Sequence, residues 1–163
     1  MQLILRTSTV MLLLPTLAWA DLSPAQPILD QLNASLAKLG APHVQGSELV
    51  GERNTPALYF GPSKINNHFE LVDEFRKKNW VTATVFVKDG SEYTRVSTNV
   101  LTSERKRGVG TQLAHNDAYA ALEKGRSYCG AIEVLGIPYD ACYSPIVDNA
   151  GKTIGATYIG YKK

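Results

Sequence analysis

The two cysteines have the clearest potential chemistry in this chain. Cys129 and Cys142 do not form the CxxC motif of redox proteins, and two thiolates alone cannot complete the four-ligand shell of structural zinc. In an oxidising compartment, two cysteines in a small domain favour a disulfide. The sequence therefore predicts a structural bridge, with neither a redox centre nor a metal site.

The histidines and serines do not indicate catalysis. His43, His68 and His115 are dispersed, and no recognisable nucleophile–base motif lies beside them. Ser97 and Ser144 lack the strand–turn–helix motif that exposes a nucleophilic serine. We therefore expect the protein not to be an enzyme and to need no cofactor.

The first twenty residues have the features of a secretory signal peptide. Arg6 precedes an apolar run, and Ala18-Trp19-Ala20 gives the small-x-small pattern that signal peptidase recognises. The run is shorter than the roughly 20 apolar residues that span a bilayer. We expect cleavage before Asp21, a periplasmic or secreted domain over residues 21–163, and no membrane insertion afterwards.

The charge balance excludes broad electrostatic recognition. The chain has 17 basic and 15 acidic residues, a net charge of +2. This gives no case for binding nucleic acid. The basic run Arg105-Lys106-Arg107 is local, and we interpret it as a solvated loop.

Helical patterns occur in three places. A long helix is predicted from Asp21 to Gly40, with Ser23 as its N-cap. A second helix is predicted from Lys64 to Lys78, and a short one from Asn116 to Lys124. Residues 41–56 could not be assigned.

The other predicted elements are strands joined by short turns. They are Ala57 to Phe60, Thr82 to Lys88, Ser91 to Val100, Ser127 to Val134, Ile137 to Val147 and Lys152 to Tyr161. Two helices followed by an antiparallel sheet of about five strands, with one helical insertion, define an α+β domain.

The turn predicted at Asp89-Gly90 sets the faces of the first hairpin. It pairs Phe86 with Tyr93 and Thr84 with Arg95, so these residues share a face. The opposite face is aliphatic, and we expect the first helix to cover it. The residues predicted to meet there are Ile28, Leu32 and Leu36 of the helix and Val85, Val87 and Val96 of the sheet.

Arg95 stands out on the aromatic and polar face, which also carries Ser97 in this register. A half-buried guanidinium needs an anionic or carbonyl partner. A bound anion could supply it, and so could an internal carboxylate such as Asp73 or Asp140. From the spacing alone, the internal salt bridge is the preferred interpretation.

The second hairpin has a better-determined register. With Leu135-Gly136 as its two-residue loop, Pro138 falls at a non-hydrogen-bonded site, where its missing N–H costs no ladder bond. Cys129 and Cys142 then pair directly at another such site, within disulfide reach. Leu135 disfavours positive φ, so we expect a type II or bulged turn with Gly136 in the left-handed position.

Three tyrosines share the other face of this hairpin. Tyr128, Tyr139 and Tyr143 all project to the same side in this register. Buried tyrosine hydroxyls usually have a partner, so this face is either the wall of a pocket or an aromatic core.

A series of short motifs resembles a known family over residues 51–161. The motifs are Leu58-Tyr59-Phe60-Gly61, Lys64-Ile65-Asn66-Asn67, Ala83-Thr84-Val85-Phe86-Val87, Arg95-Val96-Ser97-Thr98-Asn99-Val100, Gly108-Val109-Gly110-Thr111-Gln112-Leu113 and Gly151-Lys152-x-Ile154-Gly155. Together they resemble the single Cache sensor domain, of the Cache 3/Cache 2 fusion type, found outside the membrane in chemotaxis receptors.

The resemblance implies a PAS-like fold in which a long N-terminal helix packs on one sheet face and a ligand pocket lies on the other. It implies small carboxylates, amino acids and similar metabolites as ligands. The residues that match its ligand-facing positions are Arg95, Ser97, Thr98, Asn99, Tyr128, Tyr139 and Tyr143.

Two functions follow as expectations. The first is a periplasmic binding domain for an anionic small molecule, without its own transmembrane or signalling module, that presents ligand to a membrane-bound receptor or kinase. The second is an interaction module with a closed or vestigial pocket that docks on such a receptor. Thermal stabilisation by a metabolite separates them.

Overall fold

The computed structural model describes residues 23–163, so the predicted signal peptide lies outside the described residues. The described helices are α1 (Ala25–Ala37), α2 (Glu70–Asn79) and α3 (Asp117–Glu123). The strands are β1 (Pro42–Val50), β2 (Arg53–Phe60), β3 (Ser63–Lys64), β4 (Thr82–Asp89), β5 (Glu92–Thr98), β6 (Tyr128–Val134), β7 (Ile137–Val147) and β8 (Thr153–Lys162).

The strands form two antiparallel sheets, which confirms the predicted α+β class. A five-stranded sheet has the order β5-β4-β8-β7-β6, and a three-stranded sheet has the order β1-β2-β3. Helix α1 packs across β7 and β8, and α2 packs against β4. No helix within residues 23–163 is both long and apolar enough to cross a membrane.

The two faces of the large sheet bury separate cores, as the alternation predicts. Leu29, Leu32 and Leu36 of α1 are buried in one core cluster with Val85, Val87 and Val96, as predicted, although Ile28 is only partly buried. The helix itself packs on β7 and β8, whereas α2 and β2 lie against β4. The opposite face buries a cluster rich in aromatic residues beneath α3, which includes Phe86, Tyr93, Leu122, Tyr139, Tyr143 and Tyr158.

The chain between the first two helices differs from the prediction. Residues 41–56, left unassigned, form β1 and the first part of β2, joined by a turn at Gly51. Most of β1 is exposed, so it lacks the apolar alternation that identifies a strand. Helix α2 begins at Glu70 rather than Lys64. The first turn predicted for this helix is not helical. There, the buried Asn66 side chain accepts a hydrogen bond from Leu58 N at 2.9 Å and donates one to the Pro56 carbonyl at 3.0 Å.

The register predicted for the β4–β5 hairpin was wrong. The two-residue loop is Gly90-Ser91, so Phe86 pairs with Arg95 rather than with Tyr93. Gly90 has a φ of 60°, which suits the first central position of a type II′ turn. Phe86 thus pairs two residues further along β5 than predicted. Because a shift of two residues keeps side chains on the same face of the sheet, Phe86 and Arg95 still share a face, as predicted.

The register of the β6–β7 hairpin is confirmed. Glu133 pairs with Pro138 and Cys129 with Cys142, whose Cα atoms lie 4.1 Å apart in the predicted disulfide. The predicted type II or bulged turn was wrong, because Leu135 and Gly136 both have positive φ values, 49° and 82°. That pattern is a type I′ turn, whose twist matches the flanking strands.

Candidate functional site

A bulge in β5 decides which side chains accompany Arg95. Phe86 pairs with Arg95, but one residue along β4 Val85 pairs with Ser97, so Val96 is the extra residue. The bulge turns Ser97 to the α1 side, and its hydroxyl donates to the His68 carbonyl at 2.5 Å. The prediction that Ser97 shares the Arg95 face was therefore wrong.

The outer edge of β5 is covered by residues 110–113, which position the Arg95 side chain. Arg95 N donates to the Thr111 carbonyl at 2.9 Å, and Gly110 N donates to the Arg95 carbonyl at 2.9 Å. The Nη1 of Arg95 then donates to Thr111 Oγ1 at 3.1 Å and to the Gln112 carbonyl at 2.8 Å. The Gly-Val-Gly-Thr-Gln-Leu motif thus supplies the hydrogen-bond partners that hold Arg95 in position.

Arg95 is a buried cation without a counter-ion among the described residues. Its side chain is 2% exposed, and its buried Nε has no hydrogen-bond partner in residues 23–163. Burial lowers the pKa of the guanidinium, while the Tyr143 and Tyr158 hydroxyls act in the opposite direction. The guanidinium nevertheless stays charged at physiological pH.

Neither internal acid considered from the sequence pairs with Arg95. Asp73 instead accepts two hydrogen bonds from Arg107, with Nη1–Oδ1 at 2.8 Å and Nη2–Oδ2 at 3.0 Å. The side chain of Asp140 accepts from the Ser23 hydroxyl at 3.4 Å. An incoming anion therefore has no internal carboxylate to displace.

Aromatic rings surround the guanidinium. The Cζ atom of Arg95 lies 4.9 Å from the centroid of Phe86, and the Phe86 centroid lies 6.3 Å from that of Tyr143. The Tyr143 and Tyr158 centroids are 4.9 Å apart, and both rings are fully buried. Burial raises the pKa of both phenols, so they are neutral donors at physiological pH.

Tyr158 was missed by the sequence analysis, although a signal for it existed. Counting the register back from the turn at Asp148-Asn149-Ala150-Gly151 would pair Tyr158 with Ala141, on the same face as Tyr143, and an irregularity at Ile146/Val147 then brings Tyr158 opposite Tyr143. Gly160 leaves room for the Tyr158 ring on the same strand face, because a Cβ at Gly160 would overlap the Tyr158 hydroxyl. The tyrosine-x-glycine spacing therefore marks a ring that lies flat along its own strand.

The other predicted tyrosines are less central. Tyr128 lies 6.5 Å from Tyr143, centroid to centroid, at the partly exposed rim. Tyr139 lies 6.4 Å from Tyr158 and lines an open cleft on the far side. The three predicted tyrosines do share a face, and Tyr143 is the one that lies beside Phe86, the cross-strand partner of Arg95.

Thr98 and Asn99 hold the fold together around the bulge. Asn99 Nδ2 donates to the Val72 carbonyl at 2.5 Å, and Asn99 Oδ1 accepts from Ala83 N at 2.8 Å. Thr98 Oγ1 lies 2.6 Å from Thr84 Oγ1. These contacts join α2, β4 and β5, and neither side chain hydrogen-bonds to Arg95 within residues 23–163.

Helix α3 covers the aromatic face and is fastened at both ends. Asn116 is its N-cap and accepts from the backbone N–H of Ala118 at 3.1 Å, while at the other end Glu123 accepts from Tyr93 Oη at 2.9 Å. Glu123 also pairs with Lys88, and this contact lowers the pKa of Glu123. These contacts fasten α3 over the aromatic cluster that contains Phe86 and Tyr93.

Together, an α+β fold with a long N-terminal helix on one sheet face and a buried arginine among tyrosines on the other defines a PAS-like sensor domain. The family comparison is consistent with this: residues 26–163 match the Cache 3/Cache 2 fusion domain. The chain therefore belongs to this family, whose members are extracellular sensor-type domains that bind ligands. No curated protein matches the sequence.

Proposed function

We propose that this domain binds a small anionic metabolite, a carboxylate in the simplest case, with Arg95 as its counter-ion. The observation that carries the proposal is the buried guanidinium, which has no carboxylate partner among the described residues and whose buried Nε has no hydrogen-bond partner there. A buried charge is costly unless it is paired. A carboxylate would supply both the charge and the acceptor, and low local dielectric would strengthen those bonds.

The Tyr143 hydroxyl is the second group that we assign to the ligand. Its ring is buried beside Tyr158 and beside Phe86, the cross-strand partner of Arg95. A neutral phenol donates to a carboxylate without adding charge. Because Arg95 is buried, entry of a ligand requires a local opening of the residues that cover it.

We place this activity outside the cytoplasmic membrane, in the periplasm or the secreted fraction. The signal-like residues 1–20 and the Cys129–Cys142 disulfide support this assignment. Presentation of the ligand to a membrane-bound receptor or kinase is part of the proposal.

The test is a thermal-shift screen of the washed protein against a panel of small carboxylates and amino acids. A binding member should raise Tm by roughly 5 °C or more at one hundred times its Kd. Arg95→Ala should lose the shift, whereas Arg53→Ala, which removes an exposed arginine, should keep it. A shift equal in all three proteins would refute the assignment to Arg95.

One observation favours the alternative, an interaction module with a closed pocket that docks on a membrane receptor. Arg95 is 2% exposed, and it does not line the cleft of about 910 Å³ between the C-terminal end of α2 and the ends of β7 and β8. On that alternative, no member of the panel shifts the Tm of either variant or of the wild-type protein. The same screen therefore separates the two functions.

A further inference from the structure

A second concave site lies at the end of the sheet where β7 begins and β8 ends. This cleft has a volume of about 910 Å³ and runs between the C-terminal end of α2, residues 99–105 and the ends of β7 and β8. It is open to solvent, unlike the Arg95 site. Its charged and aromatic lining includes Arg76, Lys77, Trp80, Arg105, Tyr139 and Lys162.

The cleft carries an excess of positive charge. Four cations line it, and Asp73 is its one acidic residue. The carboxylate of Asp73 is already engaged by both terminal nitrogens of Arg107. Within residues 23–163, none of the four cations forms an ion pair with a carboxylate, so their charge is available to a ligand.

Trp80 is the residue that the fold does not explain. Its side chain is 90% exposed, so burial does not account for a large aromatic group at this position. Its backbone ends α2 in the left-handed region, with φ 57°, where glycine is the favoured residue. A strained and exposed tryptophan beside four cations therefore points to a binding role.

The opposite wall of the cleft is polar and ordered. Tyr139 is 4% exposed, and Thr82 Oγ1 lies 2.9 Å from the Tyr158 hydroxyl. Burial raises the pKa of the Tyr139 phenol, while Thr82 and Arg76 act against that shift. Hydroxyl groups and cations thus line the same cleft as the indole.

We propose that this cleft is a second ligand site, for a small organic polyanion whose planar part packs on Trp80. The cations bind its acidic groups, and the indole supplies an apolar face at little cost in conformational entropy. The site is separate from Arg95 and does not depend on the function proposed for Arg95.

Trp80 also reports on the site. The chain has two tryptophans, Trp19 and Trp80, so Trp19→Phe leaves Trp80 as the sole indole. This full chain is titrated at constant ionic strength with trimesate, a planar tricarboxylate, and with citrate and pyrophosphate in separate arms. We expect trimesate to quench the Trp80 fluorescence in a saturable manner. Competition of citrate and of pyrophosphate with trimesate then shows whether the cations prefer carboxylates or phosphates.

Two double variants of equal net charge test the assignment. Lys77→Gln/Lys162→Gln should weaken trimesate binding at least fivefold, whereas Lys38→Gln/Lys152→Gln, at exposed lysines outside the cleft, should leave it unchanged. Arg95→Ala should also leave it unchanged, which separates this site from the Arg95 site. Linear quenching, or equal weakening in both double variants, would overturn the proposal.

Discussion

Arg95 and Phe86 are direct partners across β4 and β5, and the guanidinium carbon lies 4.9 Å from the centroid of the phenyl ring. A cation over an aromatic face gains about 0.5 to 2 kcal/mol. That contact and two neutral acceptors, Thr111 Oγ1 and the Gln112 carbonyl, hold the side chain without neutralising its charge. The ligand-free protein therefore keeps a buried charge that a carboxylate would neutralise.

Arg95→Met should leave the free energy of unfolding of the ligand-free protein unchanged or raise it. Replacing a buried charge by an apolar side chain of similar length is often neutral or stabilising by about 1 to 4 kcal/mol. Urea denaturation of both proteins measures the difference. Arg107→Met is the matched control; it breaks the pair with Asp73 and should cost about 1.5 kcal/mol. A loss of roughly 2 kcal/mol or more in Arg95→Met would instead mark Arg95 as architectural.

Tyr143→Phe and Ser97→Ala should differ in their effect on ligand affinity. Losing the Tyr143 hydroxyl removes one neutral hydrogen bond to the ligand, about 1 kcal/mol, or roughly fivefold in Kd. Ser97 lies behind the bulge, where its hydroxyl donates to the His68 carbonyl, so Ser97→Ala should leave the Kd unchanged. The measurement is calorimetry with the best carboxylate of the panel. The opposite ranking of the two variants would mean that the ligand lies on the α1 side of the sheet.

The disulfide should stabilise the domain without affecting the ligand site. It joins residues 13 positions apart, and the chain-entropy model gives roughly 2.5 to 3 kcal/mol for a loop of that size. Cys129→Ala/Cys142→Ala should lower the free energy of unfolding by about that amount, as should reduction of the wild-type protein. Reductant should have no further effect on the double variant. Two free thiols in the unreduced, denatured wild-type protein would contradict the bridge.

Alkaline pH should destabilise the protein through its buried tyrosines. Burial raises the pKa of Tyr143 and Tyr158 in the folded state, so both phenols keep their protons there. Their contribution to stability is complete below the unfolded-state pKa of about 10 and is lost as pH rises above it, by up to about 1.4 kcal/mol per pH unit for each phenol. Circular dichroism and phenolate absorbance followed together should change in one transition, and Tyr158→Phe should make the loss shallower. Ionisation of these phenols at pH 10 in the intact fold would contradict their burial.

The sequence predicted hairpin register most accurately where two independent constraints fixed the same pairing. The β6–β7 register rested on Pro138 and the cysteine pair, and both agree with the structure. The β4–β5 register rested on the Asp89-Gly90 turn signal alone, and the actual loop starts one residue later. The bulge at Val96 has no local signature, because it arises where β4, β5 and the Asn99 side chain fit together.

The sequence indicated Arg95 because it is a charged residue within a predicted strand. The groups that surround it, however, are brought there by long-range contacts. Thr111 and Gln112 contact Arg95 because residues 110–113 pair with the outer edge of β5. The sequence pattern predicted no strand in this segment. Tyr158 arrives through the β7–β8 pairing. Strand β1 was missed because its exposed residues carry no apolar period, and the start of β2 was missed with it, whereas the end of β2, Ala57 to Phe60, was predicted.

The most direct test of the central claim is the Kd of the best carboxylate for wild-type protein, Arg95→Ala, Arg95→Lys and Arg53→Ala, measured by calorimetry. Truncating one partner of a buried charged pair costs about 2 to 5 kcal/mol, so Arg95→Ala should bind at least tenfold more weakly. Arg95→Lys should recover little, because an ammonium lacks the planar fork of the guanidinium, and Arg53→Ala should match the wild-type protein. A Kd for Arg95→Ala within twofold of the wild-type value would contradict the claim that Arg95 anchors the ligand.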